Sequence, residues 1–325
     1  MTTRWDDFDH GPWPADDEVP HDTPDAGTRR RLGLPATLRP VPGAVQRPVF
    51  DPALVQHFMA MRAGEPRFAS AEQDARWYAA RRRAVDHVLA AVGESPWADN
   101  LVLRGSVLLR AWYGAAAREP GDLDFVVVPP SWRMPEGRTR RMMDGIAATA
   151  DHLSAGDEVR VRADGAVTED IWTYDRVPGR RLLLHWRTDG LPHGTVQLDF
   201  VFGEELPAPP EPTLVPRGDD GEPALLNAAT PELSLAWKLL WLADDPYPQG
   251  KDLYDAWLLS RHVTPSARLL RDTFAAAGAG ETGLRRILRG GVDWDEFRKE
   301  YPDVPGDADD YLRALADALA PVLDD

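Results

Sequence analysis

The stretch REPGDLDFVVVPP, residues 118–130, constrains this chain more than any other. Phe125 and the valines at 126–128, closed by Pro129, read as a strand buried in a sheet, yet Asp122 and Asp124 stand at its entrance with only Leu123 between them. Side chains alternate along a strand, so residues i and i+2 project from one face. Two carboxylates a few ångströms apart repel, and without a counter-ion one is driven protonated. A divalent cation removes the conflict: Mg²⁺ binds through one or two carboxylates while water and substrate phosphates complete its shell. Alone, an Asp-x-Asp is a weak signal, because such pairs are common as solvated turn residues in an acidic chain.

Three neighbours strengthen it. NLVLRGSVLLRAWYG contains a short apolar strand at 101–103, a Gly105-Ser106 break and then helical spacing through Leu108, Leu109 and Trp112. A strand-to-helix break presents amide hydrogens, a helix dipole and here a hydroxyl to phosphate oxygens. TVQLDFVFG places Asp199 inside another apolar strand, where an unpaired charge is expensive. If the two strands are adjacent, Asp122, Asp124 and Asp199 form a three-carboxylate metal cluster. Residues 107–121 supply a helix and loop between the phosphate turn and the metal strand, so both can meet at one sheet edge.

Along the rest of the chain, residues 1–50 combine acidic clusters with many prolines and few periodic apolar positions, and read as a poorly ordered tail or a wrapping arm. Residues 71–92 have helical spacing, with Trp77, Ala80, Val85, Val88 and Leu89 on an apolar side and Arg81, Arg82 and Arg83 outside it. After a helix expected at 137–154, the segments EVRVRA, DIWTYDR, RRLLLHWR and TVQLDFVF read as strands. The proline-rich PAPPEPTLVP, 207–216, marks the expected boundary between a core at 51–215 and a helical lobe at 216–325. That lobe's first clear helix starts at Thr230-Pro231-Glu232, where Thr caps and Pro fits the first turn. The expected fold is α+β: a mixed sheet with flanking helices, then a mainly helical lobe.

Composition narrows the function. With 37 basic against 53 acidic residues the net charge is −16, which opposes wholesale wrapping of nucleic acid and confines any such contact to local patches. Arg81–Arg83, Arg138, Arg140 and Arg141 are candidates for those patches. Cysteine is absent, so thiolate chemistry and Cys-ligated zinc are excluded. There is no signal-peptide core and no uncharged apolar run of membrane-spanning length, so a cytoplasmic protein without membrane contact is expected. Only three lysines occur, Lys238, Lys251 and Lys299. Lys238 and Lys251 lie 13 residues apart in one helical region, where a compact ammonium can do what a planar guanidinium cannot. In KDLYDAWLL, Lys251, Asp252 and Asp255 can share one helix side, either as an exposed ion pair or as part of a phosphate grip. His185 and His193 read as ordinary strand-end residues.

LRGSVLLRAWYG, then Arg118, then DLDFVV, followed by TPELSLAWKLLWL and QGKDLYDAWLL, resembles the AbiEii/AbiGii-type toxins among the DNA polymerase β-like nucleotidyltransferases, over roughly residues 98–262. The resemblance implies nucleotidyl transfer from an NTP, with Gly105 and Ser106 gripping the triphosphate and Asp122 and Asp124 holding one or two Mg²⁺ ions. It implies Asp199 as the third carboxylate that activates the attacking hydroxyl. Lys238 and Lys251 would reach the nucleotide phosphates, with Asp252 or Asp255 orienting them. It points to the tRNA 3′ end as first acceptor and to a cognate antitoxin as partner. A protein hydroxyl is the alternative acceptor, and a catalytically silent nucleotide-binding module the rival reading. The chain departs from the family in its 15-residue spacer between Ser106 and Asp122, and in Asp244 and Asp245 before the KDLYD motif. It departs again in its N-terminus and in an acidic C-terminal stretch, 293–325.

Overall fold

The valine run does what its composition demands. β3 (Leu101–Arg104) and β4 (Leu123–Val127) lie at the centre of a seven-stranded sheet with Leu101, Val102, Leu103, Phe125, Val126 and Val127 all buried. In the computed structural model the described residues are 4–9, 17–173, 177–218, 221–279 and 291–323. Strand order is β5-β6-β7-β4-β3-β9-β8, with β5 at Arg160–Thr173, β6 at Val177–Arg187, β7 at Gly194–Val201, β8 at Glu211–Arg217 and β9 at Gly221–Ala228. β4 runs parallel to β7 and antiparallel to β3, while β3 and β9 pair in parallel. The two segments EVRVRA and DIWTYDR belong to the single strand β5, which carries a register shift between Arg162 and Val167.

Helices cover the sheet. α2 (Ala71–Gly93) buries Trp77, Ala84, Val88 and Leu89, and packs with α4 (Gly137–Leu153) and β7. α3 (Ser106–Tyr113) follows β3 directly. The sheet extends past the boundary expected at 215. β8 and β9 form an antiparallel hairpin that attaches to β3, so the change to helix comes at Thr230. Pro212 and Pro216 fit because β8 is an edge strand, where a missing ladder donor faces outward. α5 (Pro231–Asp244) begins as read, with the Thr230 hydroxyl accepting from the Leu233 amide at 3.2 Å and Pro231 in the first turn. α6 (Gly250–Ser260) packs on α5, and α7 (Ala267–Ala276), α8 (Trp294–Glu300) and α9 (Ala308–Leu323) complete the helical region.

The N-terminal region is not a free tail over its described residues. Within it, α1 (Ala26–Leu32) is capped by Asp25, and Trp5, Phe8, Val19, Leu32, Leu34 and Leu38 close a small apolar cluster with Met61. A hairpin follows, β1 (Pro48–Phe50) with β2 (Met61–Ala63). Ion pairs strap this arm to both sides of the molecule: Asp51 to Arg181 of β6, Arg62 to Glu300 and Arg47 to Glu296 of α8. The acidic C-terminal stretch therefore holds the arm through two of its carboxylates. Residues 1–3, 10–16 and 324–325 of the expected tail and acidic end lie outside the described residues.

Candidate active site

Strand register builds the site. Arg104 of β3 is the cross-strand partner of Asp124 of β4, Asp124 of Asp199 of β7, and Asp199 of Arg181 of β6. One row across four strands thus reads cation, carboxylate, carboxylate, cation. Asp122, two residues before Asp124, projects from the same face. Ligand oxygens of Asp122, Asp124 and Asp199 lie within 4.8 Å of one another.

The flanking arginines do different work. Arg181 donates to Asp199 through Nε at 2.8 Å and Nη2 at 2.9 Å, and through Nη1 to Asp51 of the arm at 2.6 Å, all buried. Arg104 donates to Glu204 at 2.9 and 3.0 Å and lies over the rings of Trp237 and Trp241. Burial, followed by the charges of Asp122 and Asp199, pushes the Asp124 carboxyl up to about 7, against the pull of Arg104 and Lys251. Asp199 is also raised, by burial first, although Arg181 opposes the shift. Asp51 goes the other way: Arg181 outweighs its burial and holds it below the usual range.

The Gly105-Ser106 break sits against this row. Gly105 has φ +89°, and a β-carbon there would stand 2.7 Å from Asp124 Oδ2, so only glycine lets the backbone approach the carboxylate. The Ser106 side chain is buried with no hydrogen-bond partner for its hydroxyl among the described residues, although it lines the same pocket as the three aspartates. A buried hydroxyl without a partner among the described residues, beside three clustered carboxylates of which Asp199 alone takes hydrogen bonds from an arginine, is a donor set suited to a hard divalent metal and phosphate oxygens.

Both lysines line the pocket, in different states. Lys238 of α5 is buried and held by Asp252 at 2.7 Å and Asp255 at 2.9 Å, with its ammonium over Trp241. Asp255 also takes two hydrogen bonds from Arg118, at 3.1 and 3.0 Å. The KDLYD helix therefore uses its acids to fix Lys238 and Arg118 rather than to pair with Lys251. Lys251, half-buried, makes no hydrogen bond or ion pair among the described residues.

The six arginines expected as phosphate contacts do not line this pocket. Arg81 is buried against Glu65 at 2.6 Å, Arg82 pairs with Glu119 and Arg83 with Asp157. Arg138 pairs with Glu136, Arg140 reaches Asp144 at 3.7 Å, and Arg141 is exposed on α4. His185 and His193 stand with rings 6.5 Å apart at the β6 and β7 ends, away from the carboxylates. Sequence reading missed Arg181 and Asp51. RRLLLHWR carried only a weak signal for Arg181, the second of two arginines at the edge of an apolar run, unlike Asp199 between Leu198 and Phe200.

A strand-helix break with a buried hydroxyl, three converging carboxylates and a lysine fixed by the KDLYD-type helix are assembled in the order of the expected family. Residues 87–321 match the family described as nucleotidyl transferase AbiEii toxin, type IV toxin–antitoxin system. The chain belongs to the AbiEii family. It is a nucleotidyltransferase of mixed α+β architecture with a helical C-terminal region, and its Asp122, Asp124 and Asp199 can hold a divalent metal. No curated protein matches the sequence. No helix among the described residues is long and apolar enough to cross a membrane.

Proposed function

We propose that this AbiEii-family enzyme moves a nucleoside monophosphate from an NTP to a hydroxyl of an acceptor, breaking the α–β phosphoanhydride bond and releasing pyrophosphate, as a toxin, with Mg²⁺ held by Asp122, Asp124 and Asp199. The observation that carries this is the single pocket in which those carboxylates meet the unpartnered Ser106 hydroxyl. Two bound Mg²⁺ ions would neutralise the polyphosphate and lower the pKa of the attacking hydroxyl. The chain's own groups do the positioning. Ser106 and the α3 amides bind phosphate oxygens, Lys251 meets the polyphosphate charge, and Lys238 is held in place by Asp252 and Asp255. Asp199, locked by Arg181, aligns the acceptor. Although the chain is −16 overall, Arg62, Arg104, Arg118, Arg181, Lys238 and Lys251 balance six carboxylates in the pocket lining, so a phosphate-bearing substrate meets local cations.

The first acceptor to test is the 3′ end of tRNA, and the expected partner is a cognate antitoxin, both on the family likeness. Purified protein is incubated with Mg²⁺, each of the four labelled NTPs in turn and total tRNA, beside an Asp122→Ala/Asp124→Ala control. Label on RNA in the wild type alone supports the reading. Label on protein moves the acceptor to a protein hydroxyl. NTP binding with label on neither favours a silent nucleotide-binding module, and transfer that persists in the double variant removes the site assignment.

A further inference from the structure

The pocket is charged at its floor and aromatic at its mouth. Phe50 and Trp172 line the same pocket as Asp122, Asp124 and Ser106, yet Phe50 is 50% exposed and Trp172 39%. Tyr247, 47% exposed, stands edge-on to Phe50 with ring centroids 5.0 Å apart. Among the described residues the exposed large aromatics are Phe50, Phe58, Trp172 and Tyr247, so three of the four gather at this mouth. Scattered exposed apolar residues are ordinary, but clustering beside a polar cleft marks a binding surface. Trp172 stacks on no other ring among the described residues.

These rings have no use in carboxylate or phosphate chemistry. A large aromatic face offers stacking to a flat heterocycle, tolerant of which base is present because every base has a π-face. A ligand that presents phosphates to the floor and a flat ring to the mouth is a nucleotide. We propose that Phe50 and Trp172 hold the base of the incoming nucleoside triphosphate, an assignment that rests on the proposed NTP-dependent reaction. Phe50 belongs to the arm and lies outside the family match at 87–321. Its neighbour Asp51 is tied through Arg181 to Asp199. The base subsite and the metal site therefore share one buried ion-paired anchor.

The test compares binding of an NTP, of inorganic tripolyphosphate and of a short RNA with an unpaired 3′ end, each with Mg²⁺, to the full chain by calorimetry. In the wild type the NTP binds more tightly than tripolyphosphate. Phe50→Ala and Trp172→Ala each weaken NTP binding about tenfold and leave tripolyphosphate binding and melting temperature unchanged, while Phe50→Tyr and Trp172→Phe restore NTP affinity. Equal loss for both phosphate ligands, or no loss for the NTP, overturns the proposal. So does a loss confined to the RNA, which assigns the rings to the acceptor. A wild type that binds tripolyphosphate as tightly as the NTP removes the base subsite and leaves the polyphosphate site standing. A wild type that binds neither removes the NTP reading itself and the base subsite with it.

Discussion

Asp124 and Asp199 face each other as register partners on the parallel strands β4 and β7, and among the described residues only Asp199 is hydrogen-bonded to an arginine. That asymmetry leaves Asp124 as the carboxylate that keeps its proton, with its pKa pushed up to about 7 by burial and by its two acidic neighbours. Between the unfolded value near 3.9 and about 7, the folded, metal-free protein binds one proton more than the unfolded chain through this group. The contribution of Asp124 to stability therefore falls as pH rises from about 4 to about 7 and is flat above. Urea unfolding of metal-free wild type and Asp124→Asn across this range checks it: the difference between them grows with pH, in favour of the variant. Added Mg²⁺ reverses the trend in the wild type alone, because a bound cation favours the ionised form.

Gly105 controls how closely the turn between β3 and α3 approaches Asp124. Its φ of +89° strains any side chain, and the 2.7 Å contact would push Asp124 Oδ2 aside. Gly105→Ala is expected to cost roughly 1–3 kcal/mol in stability. If Asp124 holds the metal as proposed, nucleotidyl transfer falls further, at least about a hundredfold, because displacing it forfeits several kcal/mol of transition-state stabilisation. Chemical denaturation and the labelled-NTP assay measure the two effects separately.

The carboxylates were legible because charges inside apolar strands are few and costly, so each one demands a partner. Which strands pair is a tertiary fact, and no local pattern could reveal that Arg181 faces Asp199. An arm was one of two readings of residues 1–50, but its packed cluster was illegible for a different reason: Leu32, Leu34 and Leu38 are buried, and prolines break up any period that would advertise them. β9 looked like part of a helical lobe because the neighbouring prolines suggested a linker, whereas they mark an edge strand. Arg81 misled by adjacency: read as lying outside the apolar side of its helix with Arg82 and Arg83, it turns inward to Glu65, while the other two stay partly exposed.

Arg181 compensates two buried carboxylates at once, Asp51 and Asp199. Removing it leaves both uncompensated, and breaking such a buried pair costs about 3–5 kcal/mol. Arg181→Met is expected to lose that much in urea unfolding. Adding Asp51→Asn and Asp199→Asn in the same chain recovers a large part of it, since uncharged amides need no counter-ion. Recovery absent from the triple variant would show that Arg181 acts through packing rather than charge.

The two pocket lysines separate structure from substrate binding. Lys238 neutralises Asp252 and shares Asp255 with Arg118 in a buried network, so Lys238→Met lowers stability by about 3–5 kcal/mol whatever the substrate does. Lys251 makes no hydrogen bond or ion pair among the described residues and acts on Asp124, Asp51 and Glu300 only through its charge, so Lys251→Ala costs less, about 1 kcal/mol. If Lys251 meets the polyphosphate, that variant weakens tripolyphosphate and NTP binding alike, by roughly ten- to a hundredfold for one charge-assisted hydrogen bond. Thermal melting with calorimetric titration reads both variants. A Lys251→Ala protein that melts normally and binds tripolyphosphate at full strength would remove Lys251 from the phosphate site while leaving the carboxylate cluster untouched.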